Sequence, residues 1–151
     1  MKNLVVLSVL FICASILVAG VKPATKDEVS MSIEQIQKFI NEENENAIKV
    51  FSAALEIEKR ATTSFFAGQI AQKMAKNSSM ALIEKARTNF TFSQLAVIWA
   101  VAQLEEKPMK SVLDDANSCG IENLISGLHF TAEQIAEKIL QLNPPKQIRK
   151  Q

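Results

Sequence analysis

Tyrosine is missing altogether from this chain of 151 residues, which holds one histidine, one tryptophan, two cysteines, four glycines and four prolines. Each scarcity excludes something. Glycine and proline supply the tight turns that join short strands, so a chain this poor in both is not expected to be an all-β fold. The lone His129 has no second histidine or cysteine at ligand spacing, which leaves a metal centre without a signature and makes a catalytic imidazole improbable. No clustered basic face is present for nucleic acid or anionic membrane, because 17 basic residues stand interspersed with 16 acidic ones. The adjacent pairs Glu105-Glu106 and Asp114-Asp115 point in different directions on a helix and do not converge as an acid and base couple must. The run NEENEN, Asn41 to Asn46, lacks the ligand spacing and turn glycine of a calcium loop. Dinucleotide, phosphate-loop, nucleophile-elbow and zinc-protease motifs are all missing. The expectation is a protein that is not an enzyme and holds no cofactor or metal.

What is present begins with a single Lys2 before an apolar run from Leu4 to Ala19, closed by Gly20. That layout is a secretory signal peptide over residues 1–20, the run being short of the ~20 residues that cross a bilayer. Cleavage there removes Cys13 and leaves Cys119 as the one cysteine of the mature chain. An intrachain disulfide scaffold is then excluded. For Cys119, beside Asn117, Ser118 and Gly120, two readings stay open: an intermolecular disulfide on an exposed turn, or a buried small hydrophobe. A catalytic thiol is disfavoured because no cation or histidine adjoins it. After the signal, the organisation expected is a flexible segment over 21–31, a single helical domain over 32–143 and a basic tail over 144–151, where Pro144-Pro145 precede KQIRK.

Apolar residues recur at helical spacing from Ser32 to Ala75, interrupted at NEENEN and again near Ala61 to Ser64. A short helix is expected over Met80–Arg87, opened by Asn77-Ser78-Ser79. The next differs in kind: LAVIWAVA, Leu95 to Ala102, is apolar on every side and reads as a buried central helix over about 92–106 that carries Trp99. Pro108 is expected as the first residue of the helix that follows, with Gly120 as its left-handed cap. A short helix from Ile121 and a last one over Thr131 to Leu142 complete an all-α bundle of six or seven short helices.

The stretches FTFSQLA, from Phe90, and FTAEQIA, from Phe130, share one grammar. A Thr caps the helix, a Gln three residues on reaches back to the cap, and a Phe before the cap faces an apolar residue. MSIEQI, from Met31, follows the same pattern with Ser32 as the cap. These are read as three helix starts and not as a repeated functional motif.

The function expected is that of a secreted, non-enzymatic binding protein for a small apolar ligand or lipid. Phe65, Phe66, Met74, Met80, Trp99 and Met109 are the candidate lining residues, because pliable Met and Phe suit a cavity wall. The alternative is a protein-protein interaction or structural protein acting through its surface, as a Cys119-linked homodimer. Asn77 and Asn89 begin sequons and are candidate glycosylation sites. The partners expected are a small hydrophobic ligand or an extracellular protein, with no nucleic acid and no membrane span once the signal is removed.

Overall fold

The computed structural model describes residues 20–145, so the segment up to Ala19 that reads as a signal peptide, and the basic run KQIRK, lie outside the described residues. Eight helices occur among the described residues: α1 (Lys26–Asn41), α2 (Glu45–Arg60), α3 (Ser64–Ala75), α4 (Met80–Arg87), α5 (Phe92–Leu104), α6 (Met109–Cys119), α7 (Ile121–Ser126) and α8 (Ala132–Leu140). The all-α fold is as expected, with one or two more helices than anticipated because both weak points in the first stripe are full breaks. At NEENEN, Glu43 takes a left-handed φ of 54°, the Glu43 N–H donates to the Ile40 carbonyl, and the Asn44 N–H donates to the Phe39 carbonyl. That is a Schellman turn built on glutamate instead of glycine. Asn44 then caps α2 through its side-chain oxygen, 3.1 Å from the Ala47 nitrogen. Glu106, at φ 54°, ends α5 by the same device, with Lys107 donating to the Ala102 carbonyl.

The helix starts read from the sequence divide two to one. Thr91 and Thr131 are N-caps with complete capping boxes, each hydroxyl accepting from a Gln N–H at 3.2 Å and each Gln side chain accepting from the Thr N–H at 2.9 Å. MSIEQI is not a start. Ser32 lies inside α1, which begins at Lys26 under a third capping box made by Thr25 and Glu28. Tertiary packing overrode the local pattern, because Ser32 turns inward and finds a buried partner on α2. The segment 21–31, expected to be flexible, is therefore packed: Val21 and Ala24 are buried and the Ala24 N–H donates to the Ala61 carbonyl at 2.9 Å. Pro108 stands one residue before α6, as its N-cap, and not at its first helical position.

Helix α5 is the centre. Ten of its thirteen residues are buried, which explains why no polar face was written into it. Phe92, Leu95 and Ile98 are fully enclosed, each stabilising the fold by roughly 1.5–3 kcal/mol relative to exposure. Helix α2 packs against α1, α5 and α8, and α5 packs also on α6 and α8. The rings of Phe39 and Phe51 join α1 to α2 with centroids 5.1 Å apart. These contacts leave α2 as the element that touches both polar and apolar special regions of the molecule.

Candidate functional site

Near the C-terminal end of α2, Glu58 is completely buried. It stands four residues after Ala54 and seven after Phe51, on the same stripe, so the helix carries it into the core. The Ser32 hydroxyl from α1 donates to Oε2 of Glu58, and the backbone N–H of Ser93 in α5 lies 3.5 Å from Oε1. Burial pushes the Glu58 carboxyl above the usual carboxylate range, and the hydrogen bonds from Ser32 and Ser93 oppose that shift without cancelling it.

Beside this group, Arg87 closes the junction of α1, α4 and α5. Its Nη1 and Nη2 donate to Oε1 and Oε2 of Glu28 at 2.8 and 2.6 Å. Its remaining N–H groups reach the carbonyls of Lys22 at 3.1 Å, Pro23 at 3.2 Å and Phe90 at 3.0 Å. The guanidinium lies 4.7 Å from the centroid of the Phe92 ring. Hydrogen bonding from Arg87 holds the Glu28 carboxyl below the usual range. Every polar direction of the guanidinium is answered by protein, so this cluster is a clamp that fixes the N-terminal strap and has no room for a ligand.

The opposite end of α2 is open. A cleft of 310 Å³ lies between the start of α2, α7, and the chain leading into α8. Ala47, Phe51 and Ile135 form its floor; Ile125, Leu128 and Phe130 form an apolar wall; Asn44, Asn46, Ser126 and Glu122 supply its polar atoms. Helix α7 covers it loosely, burying only Ile121, and turns away from α6 at Gly120, whose φ of 82° and ψ of 156° fall in a region essentially reserved for glycine. That conformation replaces the left-handed helical cap expected there. On the other side of α7 lies a depression of 340 Å³ with mainly polar or small lining, including Gln35, Gln94, Cys119 and Asn123. The cleft beneath α7, where large apolar side chains converge, is the better candidate for a ligand.

None of the six residues expected to line a cavity borders this cleft. Met74, Trp99 and Met109 are buried in the core, Met80 and Phe66 are half-buried, and Phe65 is 58% exposed. Phe65 and Phe66 meet edge to face at the start of α3, with centroids 5.3 Å apart. Their apolar character reflects core filling and a local aromatic pair. The cleft residues went unread because Ile125, Leu128 and Phe130 belong to a short helix and a loop, where no periodic stripe announces a wall. Cys119 is free and exposed, which removes the buried reading of that thiol. Asn77, Asn89 and His129 are exposed as well. Among the described residues no three His, Cys, Asp or Glu side chains gather as a metal site, and no helix is long and apolar enough to cross a membrane.

No protein-family model, no curated protein and no solved structure matches this chain.

Proposed function

We propose that the protein is a secreted, non-enzymatic binding protein that takes a small apolar ligand, or the tail of a single-chain lipid, into the cleft beneath α7. The observation that carries this reading is the convergence of Phe51, Ile125, Leu128, Phe130 and Ile135 on a 310 Å³ space beside a few polar groups. Such a volume sits at the lower end of the roughly 300–1,000 Å³ of ligand pockets. Secretion is supported by the signal-peptide layout of residues 1–20. The exposed Asn77 and Asn89 are open to glycosylation on that route.

The test is a titration of the purified protein with octanol, followed by amide chemical shifts. Shifts are expected to concentrate at Ala47, Ser126, Leu128 and Ala132, and to vanish in Ala47→Phe, which fills the floor. Shifts confined to other surfaces, or none at all, remove the reading.

A second reading rests on the exposed thiol of Cys119 at the end of α6. It makes the protein a surface-acting partner linked to a second copy by a disulfide. A single monomer band on non-reducing electrophoresis of the secreted protein disposes of it.

A further inference from the structure

Resting on that binding reading, we infer that the cleft beneath α7 selects small amphiphiles with an amine head over those with a carboxylate head. Among the described residues the cleft has one charged lining residue, Glu122, and no Lys, Arg or His lines it. Its other polar atoms belong to Asn44, Asn46 and Ser126, which are neutral and tolerate either kind of head.

The charges around the mouth reinforce the same sign. Asn44 and Asn46 are set in NEENEN, so the exposed Glu43 and Glu45 flank them directly. Among the described residues, the cation at Glu122 is Lys38, which stands between two carboxylates, 3.8 Å from Glu42 and 3.9 Å from Glu122, with all three side chains about half exposed. Ion pairs this long and this wet hold weakly, and one ammonium shared by two carboxylates leaves the mouth negative. Lys49, one turn further along α2, is engaged by Glu133 on α8.

A carboxylate seated here gives up water beside Glu122 and finds only Lys38, already shared between Glu122 and Glu42, whereas an ammonium gives up water and meets Glu122. The negative mouth also raises the local concentration of cations before they dock. The space holds roughly ten water volumes, which suits a ligand on the order of ten heavy atoms: a single ring or a medium acyl chain with its head at Glu122. Discrimination arises as much from the repelled carboxylate as from the attracted amine.

Octylamine, octanol and octanoate share one chain and differ only in the head, so each is titrated into the purified protein at low salt and followed at the cleft amides. Octylamine is expected to bind at least about tenfold more tightly than octanoate, with octanol between them and the gap narrowing as salt screens the mouth. Glu122→Gln is expected to weaken octylamine several-fold and to change octanol much less, because a hydroxyl head has no charge to lose there. Octanoate binding as tightly as octylamine, or an amine preference untouched by Glu122→Gln, overturns the inference while octanol still shifting the cleft amides preserves the binding reading. If none of the three shifts those amides, the binding reading fails and this inference with it.

Discussion

The two ends of α2 have opposite fates. Toward its C-terminus the helix carries Glu58 into a space where Ser32 of α1 and the Ser93 backbone of α5 answer the carboxylate, while Arg87 of α4 closes on Glu28 of α1. Toward its N-terminus, Asn46, Ala47 and Phe51 face a cleft that α7 covers without filling. The first end shows what a closed site costs: a buried charge is stable only when every lone pair and proton has a partner, and nothing is left over for a ligand. The second end shows incomplete packing beside a short helix set between Gly120 and Gly127, which leaves room for a ligand.

The contrast breaks most visibly at Arg87. Replacing Arg87 by Ala leaves Glu28 and the carbonyls of Lys22, Pro23 and Phe90 without their donors. The expected loss is about 3 kcal/mol or more in urea unfolding, in the range of a buried pair with one partner removed. A variant as stable as the parent would falsify the clamp.

The next effect is read as a slope against pH. Glu58 has a raised carboxyl in the folded state, so the fold binds its proton more tightly than the unfolded chain does. Stability from this group is present below the ordinary carboxylate pKa and is lost as pH rises through the raised value. Glu28, held low by Arg87, contributes in the opposite sense: its stability is present above the ordinary pKa and is lost as pH falls through the lowered value. Glu58→Gln is therefore expected to gain stability relative to the parent as pH rises from the acid side. Parallel unfolding midpoints for the two proteins across that range would contradict the assignment.

At the cleft end the sharpest single change is Gly120→Ala. No atom lies within 4 Å of the added methyl, so the whole penalty is backbone strain at φ 82°, about 2 kcal/mol. An unchanged unfolding midpoint means that α7 repositions at no cost, and that the Gly120 conformation does not define the cleft. A smaller loss is expected for Thr91→Ala, which removes the cap of α5 and costs about 1 kcal/mol. In a glycan-free background an unaltered melting curve rules out that capping role. The smallest effect has the opposite sign. Glu43→Gly relieves the left-handed φ of 54° at the cleft mouth, for a gain of about 0.5 kcal/mol after the extra freedom of the unfolded chain is counted. A lower melting temperature would show that the Glu43 side chain makes contacts that outweigh the strain.

Much of this molecule was legible residue by residue. The starts of α5 and α8 follow from Thr91 with Gln94 and Thr131 with Gln134, and Thr25 with Glu28 carries the same pattern seven residues before Ser32. Glu58 was also legible in part, since it occupies a stripe position of α2 where an apolar residue is the rule. Arg87 stands four residues after the buried Ile83, yet a basic residue in the last turn of a helix is equally at home in solvent. Only the arrival of Glu28 from α1 turns it inward. The six Phe, Met and Trp positions expected around a ligand lie away from the cleft for a related reason: helical spacing marks a residue as inward-facing and says nothing about whether the space it meets is filled.

The sequence by itself determined the all-α class, the caps of α5 and α8 and the buried rank of α5, because a capping box joins positions three apart and an amphipathic stripe repeats within a few turns. Tertiary structure alone decided the rest. Arg87 meets Glu28 across 59 positions, and the cleft gathers residues from Asn44 to Ile135. Interactions over such separations depend on how whole helices cross, and the space left beneath α7 is a property of that crossing and of no single segment.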